Sequence, residues 1–580
     1  MASHTDFITF SSRRSVVHAT DGIVACTQPL AAQCGLRILA KGGNAADAAV
    51  AVAAGMNMTE PCSTGIGGDM FCLYYDAKTK KVSALNGSGR SGARCTLERI
   101  RGDLGIPDGT SGNIPMTSVH SVTVPGAAAG WADTVDIFGS GRVTLEDILS
   151  PAAELGEKGF PVSELTASFW ASGETKLREA SSNFSEMLKK DPTTSDGFRA
   201  PRAGELMHNP NLAETFRTLG KEGKKGFYTG RIAHEIVKVV QDLGGHIEHD
   251  DLVHHMALGT ERVDPISLTF RDEVEVWEHP PNGQGIVALI ALGILEELEN
   301  NGTIPKFEEM GHNSAAYIHA IVESLHIAFA DAVWWVTDPN EVRVPVNGLL
   351  SKDYLAERAK LFEPNKASHI QHHGSPAFNH SDTVYFAVSD RDGNAVSFIN
   401  SNYGGFGMAA IPQGCGFTLQ NRGANFSLDQ EHPNVLAPRK RPYHTIIPAM
   451  VTNTADGSLN SVYGVMGGFM QPQGHVQVLL NMLAFKQNAQ TALDAPRICI
   501  GAGMPDEGEV MDQIIYLEDG IGEGVEEELK RMGHNAQIVK GAQRSLFGRG
   551  QLIRSVMEDG KFVYSAGSDL RGDGGAFPAW

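Results

Sequence analysis

The spacing of apolar positions switches between helical and strand periods along the whole chain. In "QPLAAQCGLRILAKGGNAADAAVAVAAGM", residues 28–56, Leu30, Cys34, Ile38 and Leu39 mark one helix face, and Gly42 and Gly43 end it. Asn44 is placed to N-cap a second helix, with Asp47 at its positive end. That helix is nearly all alanine and valine, which predicts core packing on every side. "PCSTGIGGDMFCLYYDAKTKKVSALNGSG" then carries two short apolar runs around "DAKTKK", a hairpin pattern. Helical periods follow near residues 144–158, 230–244, 284–299 and 313–331.

From residue 383 the texture changes. "TVYFAVS", the turn "DRDGN" and "AVSFINS" form a strong hairpin signal, with aromatic and β-branched runs about a glycine-containing turn. "SVYGVMGG" adds a strand and "QPQGHVQVLLNMLAF" a helix. Strands mixed with helices throughout imply an α/β or layered α+β architecture. The one conspicuous linker is "EPNKASHIQHHGSPAFNHSD", residues 363–382, whose four His and two Pro read as a solvated surface loop. Metal binding is the alternative there and in "HIEHDDLVHH", residues 246–255, although neither spacing matches a regular ligand pair.

Composition narrows the function. Lys plus Arg is 48 against 68 for Asp plus Glu, a balance of -20 that repels phosphate backbones and anionic membranes. No basic run with interleaved aromatics points to nucleic acid. Seven cysteines without metal-type spacing read as small buried hydrophobes in a reduced compartment. The N-terminal stretch lacks the apolar core of a secretory signal, and no uninterrupted apolar run is long enough for a spanning helix. A cytoplasmic protein is expected. "GSGRSG", Gly87 to Gly92, fits a dinucleotide-loop spacing, but no βαβ unit with an acidic ribose partner follows. Walker loops, HExxH and the GxSxG nucleophile elbow are absent, and no cofactor is expected.

Thr383 opens its strand with no activating base beside it in sequence, and a hydroxyl without such a base is a weak nucleophile. One chemistry makes the position sensible. Scission between Asp382 and Thr383 would give the threonine a free α-amine of pKa about 7.7–8, a proton acceptor on the same residue.

The chain resembles the γ-glutamyltransferase family of self-cleaving N-terminal-nucleophile (Ntn) hydrolases. The matching blocks include "GIVACTQPLAAQCGLRILAKGGNAADAAVAVAAGMN", "STGIGGDMF", "GFYTGRIAHEIVKVVQDLGG", "PPNGQGIVALIALGILE", Thr383 with "DGNAVSFINS", and "VYGVMGGFMQPQ". The resemblance implies an α+β fold, a four-layer αββα sandwich, built from two chains of one precursor. Residues 1–382 would form the large chain and 383–580 the small one, intertwined in one domain. It also implies that Thr383 is the nucleophile, that Ser401 hydrogen-bonds it, and that the Gly467 and Gly468 N–H groups form the oxyanion hole. A dimer of such heterodimers is a further expectation.

Where the family clamps the glutamyl α-carboxylate with Arg, this chain has Ser88, with Arg90 two residues later. Tyr403 replaces an Asn, Asn425 replaces the acidic partner of the α-amine, and His444 and Thr445 replace paired serines. Either Arg90 or Arg422 is available to restore the clamp. These departures are similar to the acylase and amidohydrolase branch, including cephalosporin-acylase-like and oxamate-hydrolase-like members. The expected substrate is a small-molecule amide with a γ-glutamyl-like or dicarboxylic acyl group. Glutathione hydrolysis or γ-glutamyl transfer is the alternative within the class, and an unprocessed scaffold the alternative outside it.

Overall fold

The computed structural model describes residues 14–107, 109–110, 112–368, 381–501 and 514–580, with backbone alone for Ser381, Asp382 and Ala542. The predicted tandem helices are Pro29–Ala40 and Ala45–Thr59. Asn44 caps the second by accepting from Ala46 N and Asp47 N, and Asp47 closes the capping box. Every residue of Ala45–Thr59 is buried. The later helical periods correspond to Leu145–Lys158, Gly230–Asp242, Gly285–Asn300 and Ala315–Trp335. The last is 21 residues with mean hydropathy 1.2, apolar and long enough to cross a membrane, but 78% of its apolar window is buried inside the fold.

Two seven-stranded antiparallel sheets organise the chain. One runs Gly575–Pro578, Gly22–Cys26, Ser381–Asp390, Ala395–Gly404, Asp69–Asp76, Lys81–Gly87, Glu261–Val263. The other runs Val17–Ala19, Lys561–Ser568, Arg549–Glu558, Leu459–Met466, Ala449–Asn453, Val274–Glu278, Ile266–Phe270. Both predicted hairpins lie in the first sheet, Asp69–Asp76 with Lys81–Gly87 and Ser381–Asp390 with Ala395–Gly404.

Strand alternation decides what lies on each side. Tyr385, Ala387 and Ile399 of the first sheet pack with Val462, Met466 and Ile553 of the second in one apolar cluster. Val384, Phe386 and Val388 point the other way, into a core shared with the helices Pro29–Ala40 and Ala45–Thr59. The outer face of the second sheet is covered by Gly285–Asn300, Ala315–Trp335 and Met470–Leu483. All seven cysteines are buried, matching their reading as small core residues.

Sequence patterning missed several inner strands. Gly22–Cys26 is a five-residue strand buried throughout, too short for a period to register. The C-terminal pair Arg549–Glu558 and Lys561–Ser568 turns on Asp559 and Gly560, with Asp559 at φ +47 and Gly560 at +76. The His-rich linker falls largely in residues 369–380, outside those described.

Candidate active site

The ladder between Ser381–Asp390 and Ala395–Gly404 shifts register between Asp382 and Val384, so Thr383 occupies an irregularity at the start of its strand. Such irregularities re-aim side chains and recur beside active sites. The ladder on the other side, with Gly22–Cys26, runs only from Ala387 to Asp390.

The buried Thr383 Oγ1 lies 3.0 Å from Ser401 Oγ. Two N–H groups converge on that same serine oxygen, from Tyr403 N at 2.9 Å and Arg422 Nη2 at 3.3 Å. Either hydroxyl of the Thr383–Ser401 pair can be the donor. Tyr403 takes up this position at φ +77, a strained left-handed conformation for an aromatic residue. The Arg422 guanidinium covers its ring at 4.2 Å, which helps hold it there.

Arg422 also donates through Nη1 to Thr445 Oγ1 at 2.6 Å. It is wholly buried, and among the described residues no carboxylate lies within ion-pair distance of it. Burial pushes its pKa down to about 10, while Tyr403 and Asp69 hold it up, so it is charged at neutral pH. The Thr445 carbonyl accepts from Gln284 Nε2 at 2.7 Å, and the same nitrogen donates to Gly468 O at 2.9 Å. A hydrogen-bonded chain thus runs from Thr383 through Ser401, Arg422, Thr445 and Gln284 to the glycine pair. Gly467 and Gly468 sit at φ +133 and +58, between the strand Leu459–Met466 and the helix Met470–Leu483. The left-handed region explains why both are glycine.

Behind this chain lies Asp69, fully buried. Its Oδ1 accepts from Gly89 N at 2.8 Å, Gly126 N at 3.2 Å and Gln420 Nε2 at 2.8 Å. A Cβ on Gly126 would stand 2.8 Å from that oxygen, so the close approach requires glycine. His444 Nδ1 accepts from Ile446 N at 3.3 Å, leaving Nε2–H to donate to Asp69 Oδ2 at 3.0 Å. Burial and the nearby Arg422 and Arg441 keep His444 neutral. Burial raises the Asp69 carboxyl to about 6, against the opposing pull of Arg422 and its hydrogen bonds.

Most sequence-selected residues therefore meet. Thr383, Ser401, Tyr403 and Thr445 share contacts, and His444 adjoins them through Asp69. Asn425 donates to Tyr443 O at 3.1 Å and hydrogen-bonds Tyr403. Ser88 is buried and accepts from Asn282 Nδ2 at 3.2 Å, while His444 N donates to Asn282 O. Arg90 belongs to another cluster, paired with Glu261 at 2.5 Å beside His255, and of the two arginines it is Arg422 that reaches Ser401. Asp69, Asn282, Gln284 and Gln420 were not singled out from sequence, because lone polar residues at strand and helix ends carry no periodic or motif signal. Among the described residues, the groups of three potential metal ligands lie elsewhere, at Asp103/His120/His246 and His319/Glu323/His534.

The family model for gamma-glutamyltranspeptidase matches residues 31–579. The chain belongs to the gamma-glutamyltranspeptidase family. Within that family it is 36% identical to the glutathione hydrolase-like YwrD proenzyme of Bacillus subtilis, covering 97% of this chain and 99% of that protein. It is 32% identical to the oxamate amidohydrolase proenzyme of Klebsiella pneumoniae, over 92% and 95% of the two chains. The cephalosporin acylase from Bacillus halodurans superposes with a TM-score of 0.85 at 37% identity, covering 99% and 98%. These relatives agree with the acylase-like branch of the gamma-glutamyltranspeptidase family.

Proposed function

We propose that this family member is a self-processing amidohydrolase whose nucleophile is Thr383, freed by scission after Asp382. The observation that carries the reading is the 3.0 Å contact of Thr383 Oγ1 with a serine hydroxyl itself held by Tyr403 N–H and Arg422. The proenzyme names of the relatives support processing, and the two facing sheets with helices outside them support the four-layer Ntn sandwich.

In this reading the Thr383 α-amine takes the Oγ1 proton as the oxygen attacks an amide carbonyl. The Gly467 and Gly468 N–H groups receive the developing oxyanion, next to the N-terminus of the following helix. The C–N bond breaks, the leaving amine takes the proton from the ammonium, and an ester remains on Thr383. Water adds with the α-amine again as base, releasing the acid.

Arg422 selects the acyl group. A buried guanidinium with no carboxylate partner among the described residues favours an acyl tail ending in an anion, of the dicarboxylic or oxamate kind. The γ-glutamyl group adds an α-amine, and Asn425 offers that amine no negative charge. A glutaryl anilide assayed beside a γ-glutamyl anilide tests this: glutaryl turnover is expected to dominate. Strong γ-glutamyl preference would defeat the pocket assignment, and an unprocessed, inactive chain the whole reading.

A further inference from the structure

Away from Thr383, three buried side chains, two on one helix and one more than 200 residues later, bring their ligand atoms within 4.8 Å of one another. His319 and Glu323 stand one turn apart on the helix Ala315–Trp335. His534 precedes the strand Asn535–Val539. His319 Nδ1 and His534 Nε2 are 2.7 Å apart, and His319 Nε2 lies 2.8 Å from the Glu363 carbonyl. The carbonyl can only accept, so His319 carries its proton on Nε2 and leaves Nδ1 with a lone pair. Glu323 Oε2 accepts from Ser368 N at 2.9 Å. Its Oε1 is wholly buried and faces His326 Nδ1 at 3.5 Å, the long end of hydrogen-bond range. A buried carboxylate oxygen whose nearest donor stands that far off is costly, and a cation among the three ligand groups would bind it more closely.

We propose that His319, Glu323 and His534 form a binding site for a divalent transition-metal ion of the zinc class. Two imidazoles and one carboxylate suit such an ion in fourfold coordination, with water in the remaining position. His534 Nε2 donates to His319 Nδ1 in the metal-free form. On binding, that proton transfers to His534 Nδ1 through solvent, both rings stay neutral, and both facing nitrogens present lone pairs. The His319 bond to Glu363 O fixes the ring, as outer partners do in metal sites. Glu363 and Ser368 lie ahead of Thr383 and His534 after it. Resting on the proposed scission, the ion would therefore tie the end of the large chain to the small one.

The test uses Co2+ as an optical probe on chelator-stripped protein, in the wild type, E323Q, H534N and T383A. One Co2+ per chain with visible bands of fourfold coordination is expected, weakened at least about tenfold in E323Q and H534N. T383A is expected to bind as the wild type does, which separates this site from the fate of the scission reading. Wild-type protein without such bands, or bands unchanged in both ligand variants, would overturn the site. If both variants fail to fold, the wild type decides through its melting temperature. A rise on adding Zn2+ that a chelator reverses supports the site, and indifference to both overturns it.

Discussion

Thr383 and Arg422 meet on one serine oxygen, and their substitutions separate engine from pocket. Thr383→Ala is expected to leave the chain uncleaved and turnover down by at least about 10³-fold, checked by electrophoresis and a single-turnover assay. Arg422→Gln removes a charged hydrogen bond worth about 1.5–3 kcal/mol, or about 10–100-fold in kcat/KM for acyl groups with an anionic tail. Neutral acyl anilides should lose less, and equal losses would place Arg422 in the support of Ser401 alone. Asp69 gives a pH signature. Its carboxyl sits at about 6 in the fold against an ordinary 3.8, mainly through burial. The folded state therefore binds this proton more tightly. The stabilisation is present below pH 3.8, is lost as pH rises to 6, and leaves a penalty of about 3 kcal/mol at pH 7. Urea titrations of Asp69→Asn and wild type should show the difference moving in the variant's favour by that order between pH 4 and 7. Thr383, Ser401 and the glycine pair were legible because each occupies a matched motif. Asp69 was not, since its importance lies in three donors from residues 89, 126 and 420 that only the fold assembles.

Strand and helix periods located the elements that carry the site, because Val384 to Val388 alternate cleanly between two cores and Ala45–Thr59 is buried all round. What the periods could not give is how the two sheets register on each other. That contact is set by Gly464, where an added Cβ would lie 2.5 Å from the Tyr385 ring. Tyr385 is fixed in turn by a 2.9 Å hydrogen bond to Ser397. Gly464→Ala is expected to destabilise by about 1–3 kcal/mol and to lower turnover, since it pushes the Thr383 strand off the strand leading to Gly467. Gly102→Ala, which meets nothing within 4 Å inside the helix Leu97–Asp103, is the control and should gain about 0.5–1 kcal/mol. Unfolding midpoints in urea, read beside turnover, distinguish the two.

Across the whole molecule, the proposed chains cannot part without breaking sheets. Gly22–Cys26, Asp69–Asp76 and Lys81–Gly87 flank the hairpin that begins at Thr383, while Val274–Glu278 and Ile266–Phe270 extend the sheet built on Leu459–Met466. The cleaved protein should elute as one particle in native buffer and separate only in denaturant. The mixed periods pointed to α/β or layered α+β, and the order of strands was not legible, because neighbours such as Gly22–Cys26 and Ser381–Asp390 are far apart in sequence. The central claim is that scission frees the Thr383 amine. Mass spectrometry of the denatured, active protein tests it most directly. The account predicts a 198-residue chain with Thr383 at its N-terminus beside a partner ending at residue 382. A single intact chain of 62.1 kDa that turns over amide substrate would contradict it.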